Sequence, residues 1–306
     1  MALLLVVGLV VALPLIAGSL LVAGLARRPG PAPSQAAEAA RRHSAGVNAL
    51  GLACLAGGLV GGVAAVTGLA SGLDQGRYLG LVPAAAGLAF EAVQAVGELT
   101  WPRPIGTLRR APLTRRTVDD VAPRWLRRVT WSWGVLIALT VAGCGLTADG
   151  GRTITRTFAA GAASAGPFPG WYYGGPILGA VGLVLLTAEG VLRLVAHRPA
   201  VMDAAPEWDL GLRRVSAHRL LRWTQLALGW TASGVLVVAS RAVHSAGSDV
   251  AVDGVPAGST AYAVVSIAML LLGGAVWIAS VVATVVPARP PAQDRAPAPI
   301  SGPVPA

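Results

Sequence analysis

Residues Tyr78–Leu99 read YLGLVPAAAGLAFEAVQAVGEL, and residues Thr130–Leu146 read TWSWGVLIALTVAGCGL. Between them lies TWPRPIGTLRRAPLTRRTVDDVAPRWLRRV, residues Thr100–Val129, with arginine at 103, 109, 110, 115, 116, 124, 127 and 128. Each flanking run approaches the length of helix that crosses a hydrocarbon layer, about 20 residues. A dense cluster of arginines between two such runs belongs on the cytoplasmic side, because positive loops are retained there. This stretch therefore predicts two membrane-crossing helices joined on the inner face.

Working outward, five more apolar runs appear: Ala2–Leu25, Val47–Leu69, Tyr172–Val195, Leu221–Val243 and Ala261–Val286. The spans are thus about 2–25, 47–69, 78–99, 130–146, 172–195, 221–243 and 261–286. All 24 basic residues are arginine, and only Arg77, Arg152, Arg156 and Arg241 fall in or beside the even-numbered gaps. The rest flank the odd gaps or the C-terminal tail. This asymmetry predicts an N-out, C-in topology in the cytoplasmic (inner) membrane. Arg27 and Arg28 follow the first span with no basic residue before it, the reverse of a cleaved signal. Trp171, Tyr172 and Tyr173 suit an outer interface, and Trp131, Trp133 and Trp223 suit inner ones. The expected fold is an all-α, polytopic transmembrane helical bundle over residues 1–286, because helices satisfy their own backbone groups in lipid. Residues 287–306 are Pro-rich and read as a disordered cytoplasmic tail.

Composition agrees. The chain of 306 residues is 54% hydrophobic and 12% charged, with mean hydropathy +0.64. Soluble domains carry about 25% charged residues. The net charge of +10 is explained by arginines that flank spans and contact anionic lipid head groups. Nucleic-acid binding is not expected, since no soluble module carries a basic patch with interleaved aromatics. The absence of lysine excludes a P-loop and any lysine Schiff base. Cys54 and Cys144 fall toward opposite faces and read as packing residues.

The Arg-rich third gap also shows Thr117-Val118-Asp119-Asp120, a helix cap followed by acids. Val121, Trp125, Leu126 and Val129 then alternate with Arg124, Arg127 and Arg128, predicting a short amphipathic helix on the inner leaflet. The fourth gap, 147–170, is rich in small residues and reads either as a lid over an outer cavity or, first, as a flexible connection. Asp203, Glu207 and Asp209 in the fifth gap read as a solvated loop that balances Arg198, Arg213 and Arg214. The pairs Gly57/Gly61, Gly58/Gly62 and Gly175/Gly179 permit close helix approach, read first as intramolecular packing.

Polar residues within spans are costly in hydrocarbon and carry the functional argument. Glu91, Gln94 and Glu98 share one face of the third span. Glu91 falls near the midplane and Glu98 near the inner head groups. Glu189 lies at a depth similar to Glu91, with Arg193 at i+4 in the favourable order. In one reading Glu91 is a proton or cation site facing a cavity. In the other it is hydrogen-bonded between helices, while Glu98 and Glu189 pair with inner-face arginines. The histidines, His43, His197, His218 and His244, sit at span ends without metal-binding spacing, so neither haem nor zinc is expected and no cofactor is assigned.

The most distinctive strings are Gly97-Glu98-Leu99-Thr100-Trp101-Pro102-Arg103-Pro104, Pro167-Phe168-Pro169-Gly170-Trp171-Tyr172-Tyr173-Gly174 and Ser216-Ala217-His218-Arg219. With the seven-span layout, they resemble a group of multi-pass membrane proteins of actinobacterial type, over most of Val47–Val243. The resemblance implies membrane location and topology and brings no activity with it. Three functional readings follow. The first is a small permease or ion-coupled transporter centred on Glu91, Gln94, Glu98 and Glu189. The second is a non-enzymatic scaffold or sensor using Arg103, Arg124, Arg127 and Arg128 at the inner interface. The third is a lipid-modifying enzyme at Glu98 and the 103–128 segment, disfavoured by the lack of a nucleophile motif.

Overall fold

The computed structural model describes residues 32–102, 116–158, 161–247, 251–252, 255–256 and 258–286. In chain order these form α1 (Gln35–Leu69), α2 (Gly72–Leu99), a single turn α3 (Val118–Val121) and α4 (Arg124–Thr147). A hairpin of β1 (Ile154–Phe158) and β2 (Gly161–Ala165) precedes α5 (Trp171–His197) and α6 (Pro206–Gly247). A small hairpin, β3 (Ala251–Val252) and β4 (Val255–Pro256), leads to α7 (Thr260–Val285). Among the described residues six helices, all but α3, are long and apolar enough to cross a membrane. The chain is an all-α, multi-pass membrane protein. The expected span at 2–25 and the tail at 287–306 lie outside the described residues, as do Arg27, Arg28, Arg103, Arg109, Arg110 and Arg115.

The long helices alternate in direction. Gly58 and Gly62 of α1 meet Ala86 and Val82 of α2, and Gly87 of α2 meets Ala227 of α6. Gly273 of α7 packs on Leu236 and Val237 of α6. In contrast, α2 and α5 run parallel, with Gly76 beside Tyr173 and Gly80 beside Ile177. The central element is α6: 72% of its apolar window is buried, against 17% for α1 and 22% for α7. Small residues drive these approaches, since lipid supplies no hydrophobic force between helices. At Gly51 of α1, an added Cβ would lie 2.8 Å from Gln94 Nε2 and 2.9 Å from the Phe90 ring. Gly57, Gly61, Gly175 and Gly179 meet no described residue, so among the described residues only the Gly58/Gly62 pair of the three packs within the chain.

Several expectations are corrected. The helices outrun the apolar spans, and α6 starts at Pro206 rather than near 221. At about 1.5 Å per residue its 42 residues extend roughly 63 Å, about twice the hydrocarbon thickness. Pro206 suits a first helical turn, and Glu207 and Asp209 suit its positive dipole end. The supposed solvated loop is therefore largely helix. Hydropathy marks the part of a helix that sits in lipid, not where the helix begins. Similarly, Arg124–Val129 is no separate amphipathic helix. Pro123 breaks the chain after α3, and α4 then runs unbroken from Arg124. The fourth gap is a paired hairpin rather than a loose connection, with Ile154 opposite Ala165 and Phe158 opposite Gly161. Arg156 on β1 donates to the Gly247 carbonyl at 2.9 Å, tying the hairpin to the end of α6. Trp223 is 1% exposed and lies in the core. Its depth suited an interface, but its azimuth on the central helix turns it inward.

Candidate functional site

Glu91 and Gln94 lie on the buried face of α2. Glu91 is 0% exposed. Its Oε1 accepts a hydrogen bond from Thr224 Oγ1 of α6 at 2.7 Å, and its Oε2 has no hydrogen-bond partner among the described residues. Around it Phe90, Leu221 and Trp223 build an apolar cluster. No water-filled passage is seen at Glu91 among the described residues; the pocket nearest in sequence begins at Gln94, one turn along α2. Gln94 is 8% exposed, and its Nε2 donates to nothing. Gln225, the other buried glutamine, differs. It accepts from Trp133 Nε1 at 3.2 Å and donates to the carbonyls of Ser280 and Arg222 at 2.8 and 3.0 Å.

Two turns beyond Glu91, Glu98 meets Arg198 from the chain just after α5. Arg198 Nη1 lies 3.2 and 3.3 Å from the two carboxylate oxygens. The guanidinium stacks on Trp101, 3.7 Å from the ring centroid, and reaches Ser216 Oγ at 3.4 Å. Burial pulls the Arg198 pKa below the ordinary arginine range, and the Glu98 charge opposes that shift. His43 donates from Nε2 to the Gly97 carbonyl at 2.9 Å and meets the Trp101 ring edge-on. His43, Glu98, Trp101 and Ser216 border a pocket of about 10 Å³ where α1, α2 and α6 converge, lined also by Ser44, Asn48, Gln94 and Arg219.

Deeper in the same end, Arg213 acts as a clamp. Its Nε donates to Asp209 Oδ2 at 2.9 Å, one turn earlier on α6. Its Nη1 donates to the carbonyls of Val195 and Ala196, and its Nη2 to those of Arg198 and Pro199, at 2.8–3.3 Å. The first two of these carbonyls lie in the last turn of α5 and the other two just after it, where helical partners run out. Asp209 also receives Arg116 Nη1 at 2.6 Å. Sequence set Asp209 against Arg198 and Arg213 only as a solvated charge balance; the clamp on the end of α5 and Arg198 as the partner of Glu98 were missed. The one local signal was the Asp209/Arg213 i,i+4 spacing.

A second cluster sits on the lateral surface at the same end. Glu189 accepts from Arg127 Nε and Nη2 at 2.8 and 3.0 Å, and from Trp131 Nε1 at 3.1 Å. Arg127 also donates to Asp119 at 3.0 Å. The expected partner Arg193 makes no ion pair with Glu189. It sits on the same helix as an exposed side chain, whereas Arg127 comes across from α4 in bidentate geometry. Asp119, Arg124, Arg127, Arg128 and Trp131 line an open cleft of about 430 Å³. Arg124 and Arg128 are exposed and make no ion pair among the described residues. Arg103, the remaining residue of the expected interfacial set, lies outside the described residues.

The structure thus brings Gln94 and Glu98 to one pocket, leaves Glu91 sealed beyond it, and sends Glu189 to a separate surface. His197 donates to the Arg193 carbonyl at 2.7 Å, far in role from His43. Among the described residues no group of three His, Cys, Asp or Glu could hold a metal ion. Cys54 and Cys144 are free. No family model matches the chain, and neither a curated protein nor a solved structure matches it.

Proposed function

We propose that the chain is a non-enzymatic scaffold of the cytoplasmic membrane, held at its inner face by anionic lipid head groups. The observation that carries this reading is the open cleft lined by Arg124, Arg127, Arg128 and Trp131. Arg127 is committed to Glu189 and Asp119, which fixes the wall of the cleft. Arg124 and Arg128 stand one turn apart on α4 and project free charge beside a half-exposed Trp131. An interfacial tryptophan next to arginines matches the chemistry of a phospholipid surface. The reading orients this end toward the cytoplasm, in keeping with the arginine asymmetry of the sequence. The test is reconstitution in nanodiscs of phosphatidylcholine with and without phosphatidylglycerol. Thermal stability should rise with phosphatidylglycerol, and the Arg124→Gln/Arg128→Gln variant should lose about 1 kcal/mol of that gain per arginine. Equal stability in both lipids would end the proposal.

A second reading, an ion-coupled transporter, is favoured by one observation: Glu91 Oε2 and Gln94 Nε2 are buried without hydrogen-bond partners. A proton flux into proteoliposomes that Glu91→Gln abolishes would select it. The same flux in wild type and variant would remove it.

A further inference from the structure

We infer that the pocket between α1, α2 and α6 binds one small monovalent anion of halide size. Size sets the first limit. About 10 Å³ takes a single water or ion and no multi-atom ligand.

Charge sets the second. At this end two buried carboxylates, Glu98 and Asp209, face the guanidinium groups of Arg116, Arg198 and Arg213. Arg219 is a fourth. It lines the pocket, is largely removed from solvent, and forms no hydrogen bond or ion pair among the described residues. Four positive groups against two negative leave an excess of two in a poorly solvated region. Such an excess is costly unless a counter-charge is supplied.

Hydrogen bonding sets the third. Gln94 Nε2 is a buried orphan donor in the pocket wall, in contrast to the fully partnered Gln225. Arg198, which pairs with Glu98 and stacks on Trp101 without itself lining the pocket, keeps Nε and Nη2 without partners among the described residues. Ser44 and Ser216 face each other at 3.4 Å, and either hydroxyl can turn toward the pocket. Among the described residues of the wall, Asn48 Oδ1 is the one orphan acceptor, and reversing its amide presents a donor instead. The Glu98 carboxylate, the one negative group in the wall, is held by Arg198. Buried polar groups are nearly always satisfied, so the unmatched Gln94 donor in the wall, beside the Arg219 guanidinium, points to an anion. Bound there, the ion would join α1 to α6, two helices that otherwise touch little, beside the close packing of α1 on α2.

This inference does not depend on the scaffold reading, and its test uses phosphatidylcholine nanodiscs free of anionic lipid. At constant ionic strength, gluconate is replaced by chloride, and equilibrium binding of radiolabelled chloride is measured in parallel. The expected result is one chloride per chain, displaced by bromide. At ten times its Kd, chloride should raise Tm by about 3 °C. Arg219→Gln should lose both responses, and Gln94→Leu should weaken binding about tenfold. Arg193→Gln, at an exposed arginine of the same end, should retain them. If Arg219→Gln does not fold, Gln94→Leu and the wild-type anion exchange still decide. No saturable chloride binding in the wild type overturns the inference, as does unchanged binding in Gln94→Leu.

Discussion

Glu91 and Glu98 occupy the same face of α2, seven residues and about 10 Å apart. Glu91 lies among apolar side chains, and its one partner is the neutral Thr224 hydroxyl. Glu98 lies among charges, opposite Arg198, within a network that extends to Asp209 and Arg213. The contrast shows two ways of burying a carboxylate. In the bundle interior the group is accommodated by neutral hydrogen bonding, where a full charge would be expensive. At the Arg-rich end the charge is retained and matched, and the same arginines close the end of a helix. Removing a partner should therefore be far more damaging at the second place than at the first.

The largest effect is expected for Arg213→Met. It strips four carbonyls and Asp209 of a donor, although Arg116 remains on Asp209. The loss should be about 3–5 kcal/mol in reversible denaturation from detergent micelles. A loss below about 1 kcal/mol would show that the clamp is ornamental to α5. Glu98→Gln comes next, at about 2–3 kcal/mol, because it leaves Arg198 buried opposite a neutral group. Adding Arg198→Met should recover much of that loss, since the stranded charge goes with it. If the double variant is instead as unstable as the sum of the two single changes, the pair is not the source of the effect.

Glu91→Gln should be nearly silent, within about 1 kcal/mol, since the amide oxygen can still accept from Thr224. A loss equal to that of Glu98→Gln would erase the contrast and mean that Glu91 carries charge. The smallest effect concerns Asp120, which caps α3 by accepting from the Thr117 N–H and hydroxyl at 2.7 and 2.8 Å. The Thr117 backbone N–H and then its hydroxyl hold the Asp120 carboxyl below its ordinary value of 3.8. With the folded pKa depressed, its contribution is complete above the unfolded pKa and disappears as pH falls through the folded one. Asp120→Asn should flatten only that acid limb, measured as the pH dependence of Tm. An unchanged limb would refute the assignment.

How much of this was legible depended on the kind of information each feature needs. The Thr117–Asp120 cap could be read locally, because both partners lie within one turn. The two-turn spacing of Glu91 and Glu98 could be read for the same reason, as could their relative depth. The partner of Glu189 could not. Arg193 was the neighbour along the helix, but Arg127 arrives from another helix with two parallel hydrogen bonds. Nor could the pocket, whose walls come from residues up to 176 positions apart, His43 and Arg219.

Sequence by itself determined that the chain is apolar enough for a membrane, which segments are apolar enough to cross it, and how far apart along each helix its polar residues lie. Hydropathy and helical rise are one-dimensional quantities, so they act along the membrane normal. Tertiary structure alone decided the second coordinate, the direction each side chain faces around its helix. That direction put Trp223 in the core and gave Glu189 to Arg127. It also joined Asp209 and Arg213 to the end of α5 and left Gln94 and Arg219 facing one small pocket. Azimuth is set by which small residues let which helices approach, and that is a property of pairs of helices rather than of any one run of residues.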